Sequence, residues 1–475
     1  MSPSVTPAVD PDRGMRPLLP YCAGAALGGA AGAAVVVVVT TIIKEALAVT
    51  SGAEPWLLLT LPVIGVALST FVLNVIGHGE PVQRLEPRDH ALADTTAPAP
   101  PRPWQRWMRW TRRLPRIPAA WATFPADVAR ADLTGDVVAS AGSEERFPWR
   151  QAPLRALAIV LTVGLGAPMG TEAPAAHLGV ATGSWIGQTR PALRRMQRGA
   201  AIAGGAAGVS ALMGVALVGT VFMLELGRRR RRVPHSAPRV AAALVGGLVG
   251  WVVNTVFRLD LIRLIVPTEP PADVTQAIQA CLYVGVAAGV LTAAAGWAIY
   301  RARDWRAGPW RRLMVGAAAM AATSAALFIA ADPRAGFGPG GGAILWAESP
   351  ARLSEPAMIL LLVAVLRAVA TTTAVAAGGC GGVFVPFLAI GDLAARSFAP
   401  HLGISGDLAG ASGAAAGIAG GYRLPWTAVM MVVGIGGPLG AVLTSLGSVV
   451  VASVAGVLTA LTLDRLRKAA IIRLR

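Results

Sequence analysis

Hydrophobic residues along this chain form long runs that recur from near the first residues to near the last. These runs lie near 18–49, 56–77, 153–168, 174–187, 199–226, 239–266, 276–300, 313–331, 356–377, 383–399, 408–435 and 438–463. About 20 apolar residues in a helix cross a hydrocarbon core about 30 Å thick. The pattern therefore predicts an all-α polytopic membrane protein. Several runs are too short or too rich in glycine for simple spans, which predicts broken, re-entrant helices.

Composition and the placement of charge support a membrane protein. Of 475 residues, 54% are hydrophobic and only 14% are charged, against about 25% charged residues in soluble proteins. The net charge of +17 sits in short basic runs between apolar segments, such as Arg228 to Arg232 and the arginines within 301–312. The loop between these two runs carries Glu269 and Asp273. This alternation predicts that both basic loops are cytoplasmic, and it argues against nucleic-acid binding.

The apolar runs also define the domain organisation. The first residues lack the features of a cleaved signal peptide, so they are expected to remain as a cytoplasmic tail. A polar stretch rich in Arg and Trp interrupts the runs and is interpreted as a cytoplasmic connection. The predicted parts are an N-terminal tail (1–17), a transmembrane domain (18–463) with halves at about 18–230 and 239–463, an insert (about 83–151) and a basic cytoplasmic tail (464–475).

An internal repeat emerges when the chain is compared with itself at a shift of 212 positions. The shift superposes Leu154-Arg155-Ala156 on Leu366-Arg367-Ala368, Gly166 on Gly378, Gly170 on Gly382, Pro174 on Pro386 and Gly179 on Gly391. A further correspondence relates Gly199-Ala200-Ala201 to Gly413-Ala414-Ala415 at almost the same shift. Two halves with Gly- and Pro-interrupted apolar segments at matching positions are typical of transporters that bind substrate between broken helices near the midplane.

Three segments place a glycine four residues before a proline: Gly77–Pro81, Gly170–Pro174 and Gly382–Pro386. Proline is tolerated in the first turn of a helix, and glycine permits the bend that precedes it. The segments are thus predicted to be helix starts within the membrane. The first N–H groups of such helices have no internal partner, and in hydrocarbon each one needs an acceptor. An anion can be that acceptor, because the helix dipole favours negative charge there.

At these motifs the chain resembles the CLC family of chloride channels and chloride/proton exchangers, whose filter motifs read GSGIP, GREGP and GxFxP. The resemblance is specific at GGVFVPFLAIG (Gly381 to Gly391), good at GTEAP and weaker at GHGEP. It extends from about residue 18 to 440, apart from the polar insert. It implies a fold of two inverted-topology repeats, anion transport, assembly as a homodimer and a location in the bacterial cell membrane.

The resemblance also implies roles for single residues. Glu172 matches the gating glutamate, which competes with the anion and in exchangers carries the proton. A carboxylate inside an apolar stretch is expensive in itself and usually functional, so Glu172 is the leading candidate on physical grounds too. The remaining predicted anion-binding residues of the three motifs are Gly77, His78, Gly79, Gly170, Thr171, Ala173, Gly382, Val383, Phe384 and Val385.

Departures from the family pattern affect both ends of the predicted pathway. His78 replaces the serine that coordinates the central anion, and it could donate a neutral N–H or contribute a full positive charge. The coordinating tyrosine near the C-terminus has no counterpart, since the four tyrosines are Tyr21, Tyr283, Tyr300 and Tyr422. Leu226 falls at the internal proton-transfer glutamate, and the adjacent Glu225 is a candidate substitute or the end of a helix.

These departures favour a passive anion channel or weakly coupled transporter over a standard chloride/proton exchanger. Chloride is the expected substrate, and a proton-coupled antiporter selective for fluoride or nitrate is the alternative. A second alternative is an intramembrane transferase, but His78, His177, Asp260 and Asp392 show no catalytic spacing. The sequence predicts no enzyme activity, no catalytic residues, no cofactor and no metal site. Its predicted partners are small anions, protons, the lipid bilayer and a second copy of the chain.

Overall fold

A computed structural model describes residues 18–73, 147, 149, 152–189, 193, 196–231, 235–259, 264–267, 269–303, 305, 307–349, 357–436 and 443–473. These described residues form 16 α-helices and one short 3-10 helix, with no β-strand among them. This confirms the predicted all-α fold. The tail 1–17 and almost all of the insert lie outside the described residues.

The helices are numbered in chain order. They are α1 (Leu18–Ser51), α2 (Pro55–Phe71), α3 (Ala152–Gly164), α4 (Glu172–Thr189), α5 (Gln197–Met213), α6 (Ala216–Arg231), α7 (Ala237–Phe257), α8 (Val274–Arg303), α9 (Pro309–Ala330), α10 (Gly341–Glu348), α11 (Ala357–Ala377), α12 (Phe384–Arg396), α13 (Ala399–Leu402), α14 (Gly406–Tyr422), α15 (Pro425–Ile435) and α16 (Leu446–Arg473); the 3-10 helix is Pro333–Gly336.

Six of the described helices, α1, α7, α8, α9, α11 and α16, are long and apolar enough to cross a membrane. The other described helices contain 18 residues or fewer, as expected for broken helices. Two predicted single runs are in fact helix pairs. The run 199–226 breaks at Gly214, which has a φ of +72°, and the run 408–435 breaks at Arg423, which has a φ of +66° and precedes Pro425. A residue in the left-handed region ends a helix by turning its backbone away from the axis.

The seven described helices of the first half recur in the same order in the second half, which adds the short helices α10 and α13 and the 3-10 helix. Helices α5 and α14 both contain 17 residues and both end at a left-handed residue. The starts of α6 and α15, and then of α7 and α16, keep the same spacing between the halves. The predicted internal repeat is therefore a repeat of structure, not only of glycine and alanine content.

Glycine contacts correct one part of the sequence alignment. A Cβ atom added at Gly179 would overlap the carbonyl of Gly204, and one added at Gly391 would overlap the carbonyl of Gly413. Helix α4 thus packs on α5 as α12 packs on α14, with backbones in direct contact. The structural counterpart of Gly413 is Gly204, and the expected match of Gly413 to Gly199 is wrong. The register shifts because α12 has 13 residues where α4 has 18. The longer connection that follows α12 makes up only part of this difference.

The two halves run in opposite directions through the membrane. Helix α4 ends beside the start of α1, since Gly187 meets Gln197 of α5, and the neighbouring Met196 meets Gly24. The C-terminal end of α12 and the following α13 lie beside the start of α8, where Gln276 donates to the carbonyl of Leu402 at 3.3 Å. Helix α6 folds back along α5, since Gly219 packs on Ala206 and Ser210 Oγ donates to Ala216 O at 3.1 Å, so α6 ends on the face where α4 ends. The alternation of loop charge predicts that α8 starts on the opposite face. Helices α4 and α12 therefore extend from the interior toward opposite faces.

Candidate functional site

Two equivalent turns bring the chain into the centre of the molecule. Gly166, two residues after the end of α3, has a φ of +85°, and Gly378, directly after α11, has a φ of +98°. Each turn has the same pair of backbone hydrogen bonds: Gly166 N to Val163 O and Ala167 N to Thr162 O in one half, Gly378 N to Val375 O and Gly379 N to Ala374 O in the other. A side chain at either glycine would strain this left-handed backbone, which accounts for the repeated glycine.

The segments that follow the two turns pair with each other. Gly170 N donates to Gly382 O at 2.7 Å, and Gly382 N donates to Gly170 O at 2.6 Å, which forms an isolated antiparallel bridge. A further contact links the halves, because Cys380 N donates to Thr162 Oγ1 at 3.2 Å. The second and third Gly-x-x-x-Pro motifs are thus held together directly, as the sequence analysis requires.

Two helices begin at this bridge and point their N-termini at it. Helix α4 begins at Glu172 and helix α12 at Phe384, with Pro174 and Pro386 in their first turns. The first N–H groups of a helix have no acceptor within that helix. Val383, the residue before α12, supplies no side-chain cap. The N-terminal N–H groups of α4 and α12, which have no acceptor within their helices, therefore lie together beside the buried bridge. The positive ends of the two helix dipoles lie there as well.

Glu172 lies in that place. Its side chain is only 3% exposed, and the backbone amides of Glu172 itself, Thr171 and Val385 lie close enough to stabilise the negative charge of its carboxylate. A Cβ atom at Gly170 would overlap Oε2, and one at Gly382 would lie 3.3 Å from it. Oε2 has no hydrogen-bond partner. The Glu172 carboxylate thus occupies the position over the bridge, between backbone amides of both halves. No side chain donates a hydrogen bond to its Oε2 atom.

The other predicted residues of the second and third motifs are buried at the same two helix starts. Thr171, Ala173, Val383, Phe384 and Val385 are each at most 3% exposed. The Phe384 ring packs against Tyr422, with 4.9 Å between ring centroids, and against Phe222 at 5.9 Å. Tyr422 lies too early in the chain to match the family's coordinating tyrosine, and the sequence pattern does not reveal this contact. It arises because Tyr422 ends α14, which packs along α12.

The described residues include the candidate internal acid Glu225 and exclude the first motif. Gly77, His78 and Gly79 lie outside the described residues. Glu225 caps the N-terminus of α15: Oε1 accepts from Trp426 N at 3.2 Å, and Oε2 accepts from Thr427 N at 2.8 Å and Thr427 Oγ1 at 2.6 Å. Leu226 is buried. Glu225 therefore has a structural role, and its use as an internal acid stays a prediction.

The titratable groups of the transferase alternative do not converge within the described part of the chain. His177 accepts a hydrogen bond at Nε2 from Arg155 Nη1 at 2.7 Å. Asp392 pairs with Arg396 at 2.9 Å on α12, whose far end lies at the opposite face from that of α4. Asp260 and His78 are not among the described residues. No group of three or more His, Cys, Asp or Glu residues there could hold a metal ion.

Comparisons with known proteins agree with this architecture. The family model described as "Voltage gated chloride channel" matches residues 129–457, more than half of the chain. The H(+)/Cl(-) exchange transporter ClcA of Yersinia pestis bv. Antiqua (strain Angola) is 24% identical over 297 residues, which cover 60% of each protein. The protein of that name from Vibrio cholerae serotype O1 (strain ATCC 39541 / Classical Ogawa 395 / O395) is 27% identical over 327 residues, or 65% of this chain and 68% of the relative. The chain spans about three fifths of the length of the first of these relatives.

Solved structures show a similar fold over nearly the whole chain. A slow cyanobacterial Cl-/H+ antiporter is similar with a TM-score of 0.66 at 17% identity, covering 93% of this chain and 95% of that one. A CLC-type fluoride/proton antiporter is similar with a TM-score of 0.65 at 18% identity and the same coverage. At these identities the likeness establishes the fold and leaves the transported ion open.

Proposed function

Because this chain belongs to the voltage gated chloride channel family, we propose that it moves a small inorganic anion across the cell membrane, with Glu172 as the gate. The anion-binding groups are the backbone amides around the Gly170–Gly382 bridge, contributed by Thr171, Ala173, Val383, Phe384 and Val385. His78 and its glycine neighbours Gly77 and Gly79 complete the pathway from the first motif. We assign chloride as the substrate.

The observation that carries this proposal is the position of the Glu172 carboxylate. It lies over the bridge, among N–H groups of both halves. Those N–H groups can donate hydrogen bonds either to a carboxylate oxygen or to a dehydrated halide. Both acceptors are compact and negatively charged, which suits a site at two helix N-termini. Glu172 and the anion therefore compete for one set of donors. When Glu172 takes up a proton, it loses the charge that holds it there, and the anion can replace it.

This competition favours proton-coupled exchange. The protonated Glu172 side chain leaves the bridge as the anion enters. The exchange of the two at the bridge therefore moves the proton and the anion in opposite directions. The preference for a passive channel, drawn from Leu226 at the internal acid position, has no support from the relatives, whose names describe chloride/proton exchange. We therefore propose a chloride/proton antiporter in which protons reach Glu172 from the cytoplasm without a carboxylate at position 226.

Fluoride is the second candidate substrate. A fluoride/proton antiporter shares the fold with a TM-score close to that of the chloride antiporter. Backbone amides bind either halide, so selectivity depends on the side chains that replace the rest of the hydration shell. His78 is the departure from the family pattern that would change that shell.

Assembly as a homodimer with one pathway in each subunit is the expected oligomeric state, which crosslinking in native membranes would test.

Flux measurements on purified protein in liposomes test the proposal. Vesicles loaded with chloride are diluted into low-chloride buffer, valinomycin with potassium releases the opposing voltage, and external chloride and pH are recorded together. A chloride/proton antiporter releases chloride and shifts the external pH in the same trace. A passive channel releases chloride without a pH shift. Repeating the assay with fluoride and nitrate ranks the substrates.

Glu172→Gln is the decisive variant, because glutamine keeps the size of the side chain and removes its charge and its titration. We expect chloride efflux to persist and the pH shift to disappear. Glu54→Gln is the matched control, since Glu54 is an exposed carboxylate at the start of α2 and should leave both signals unchanged. If Glu172→Gln behaves like the control in flux, pH response and anion dependence, the assignment of Glu172 is wrong.

A further inference from the structure

A group of aromatic and basic side chains lies where α8 and α16 end side by side. Trp297, Tyr300 and Arg301 belong to the last turns of α8, and Arg467 belongs to the last turns of α16. We call these four residues the inner-face cluster. None of them contributes to the anion site described above.

Two arginines share one exposed ring in this cluster. The guanidinium carbon of Arg467 lies 4.7 Å from the centre of the Trp297 ring, and that of Arg301 lies 5.6 Å from it. Arg303, in the same turn, lies 5.9 Å from the centre of the Tyr300 ring. Trp297 is 45% exposed and Tyr300 is 37% exposed. The rings therefore orient the guanidinium groups and still face the surroundings of the protein.

Contacts away from the cluster fix its geometry. Helices α8 and α16 run parallel with backbones in close contact, since Gly285 packs on Ala452 and Gly289 on Gly456. The buried Arg312 donates to the carbonyls of Ala302 and Arg303 at 3.1 and 3.2 Å, which secures the end of α8. The site is thus held by the fold before any ligand arrives.

The positive charge of the cluster is not neutralised from within. Asp464 is the one acidic residue of α16, and it pairs with Arg423 of the α14–α15 turn at 2.8 Å. Among the described residues, no carboxylate forms an ion pair with Arg301 or Arg467. Arg465 and Lys468 add two more exposed cations to the same helix end. A ligand for this place must therefore carry negative charge.

We propose that the inner-face cluster binds the phosphate headgroup of an anionic phospholipid in the cytoplasmic leaflet. The loop-charge pattern places the ends of α8 and α16 on the cytoplasmic side. Exposed Trp and Tyr rings are characteristic of the headgroup level, and basic pockets between transmembrane helices on that side recognise anionic headgroups. Arginine offers two parallel N–H donors that match a phosphate. The acyl chains would lie along the exposed apolar side chains of α8, such as Val286 and Val290.

Native mass spectrometry of the full chain, purified in detergent, tests the proposal. The protein is titrated with cardiolipin, phosphatidylglycerol, phosphatidylcholine or inorganic phosphate, and bound lipid is counted. We expect cardiolipin and phosphatidylglycerol to bind at low molar excess and to raise the thermal midpoint. Phosphatidylcholine and phosphate alone should do neither. Equal binding of phosphatidylcholine would overturn the proposal, because the headgroup charge would then not matter, and saturation by free phosphate would replace the lipid with a soluble anion.

The variant Arg301→Gln/Arg467→Gln should weaken binding of the anionic lipids roughly tenfold or more, since each cation near an anionic headgroup is worth about a factor of five. Arg311→Gln is the matched control: Arg311 is an exposed arginine at the start of α9 on the same face and lies outside the cluster. If both variants lost the same affinity for anionic lipid, the effect would be due to overall positive charge. That result would contradict a specific site at the inner-face cluster. The single change Arg467→Gln, near an exposed helix end, answers the same question if the double variant does not fold. Binding is measured without transport, so its result is independent of the proposed anion pathway.

Discussion

Gly170 and Gly382 exchange two backbone hydrogen bonds of 2.7 and 2.6 Å at the centre of the molecule. They occupy equivalent positions of the two repeats, so the bridge lies on the pseudo-twofold axis that relates the halves. Any side chain at this bridge would enter the space that the Glu172 carboxylate fills. The same two residues therefore join the halves and leave room for the Glu172 carboxylate.

Gly170→Ala should displace the gate without unfolding the protein. The added methyl group would overlap Glu172 Oε2, which is the mobile end of a flexible side chain and can move aside. We expect a several-fold faster chloride efflux with less proton movement for each chloride, recorded in the liposome assay. Gly447→Ala is the control, because a Cβ at Gly447 has no neighbour within 4 Å. Normal coupling in Gly170→Ala would show that the carboxylate does not gate from this position.

Glu225→Ala should lower stability and leave proton coupling intact. Three hydrogen bonds at the start of α15 end on this carboxylate, and loss of a helix cap costs about 0.5–2 kcal/mol. Thermal unfolding in detergent and the chloride-to-proton ratio in liposomes should be measured on the same preparation. The opposite result, an unchanged thermal midpoint with lost proton movement, would make Glu225 the internal acid and not a cap.

Glu348 should make stability depend on pH. It lies at the end of the short helix α10, outside the six spanning helices, and shares Arg396 with Asp392 and Asp407 at 2.9, 2.9 and 3.2 Å. Burial raises the pKa of Glu348 from 4.5 to about 7, while Arg396 acts in the opposite direction. The folded state therefore holds a proton that the unfolded chain releases at lower pH. The corresponding stability is complete below about pH 4.5 and is lost as the pH rises through about 7.

Glu348→Gln should flatten this part of the profile, because glutamine stays neutral and can still accept from Arg396. We expect the variant to be more stable than the parent at pH 8 by roughly 1–3 kcal/mol and to approach it near pH 4.5. Thermal midpoints at both pH values check the sign. A parent protein that becomes more stable between pH 4.5 and 8, with a flat variant, would mean that Arg396 outweighs burial at this carboxylate.

His78→Ser should shift anion selectivity. His78 belongs to the first motif, and its imidazole would meet the anion with a directional N–H donor, where serine offers a smaller hydroxyl group. Efflux rates for chloride, fluoride and nitrate should change relative to one another in the variant, by more than the overall rate changes. The same rank and ratios in both proteins would place His78 outside the pathway.

Much of the architecture follows from local features of the sequence. The apolar runs and the alternating loop charge predicted the membrane fold. The Gly-x-x-x-Pro motifs predicted where α4 and α12 start, and their recurrence indicated the repeat. The breaks at Gly214 and Arg423 were missed, because an apolar run shows no periodic change where a single residue turns left-handed. The match of Gly413 to Gly199 failed for a related reason, since similar Gly and Ala patterns cannot fix register.

The sequence by itself predicted that two helices begin within the membrane at the motifs Gly170–Pro174 and Gly382–Pro386, because the glycine, the proline and the apolar surroundings of each start are neighbours in the chain. Only the tertiary structure decided that Gly170 pairs with Gly382, that Tyr422 packs on Phe384 and that Glu225 caps α15. Those relationships join residues that are distant in the chain, and they depend on how closely the helix backbones approach. Helix backbones approach closely where glycines meet, as Gly179 meets Gly204. No local sequence pattern identifies which glycine contacts which.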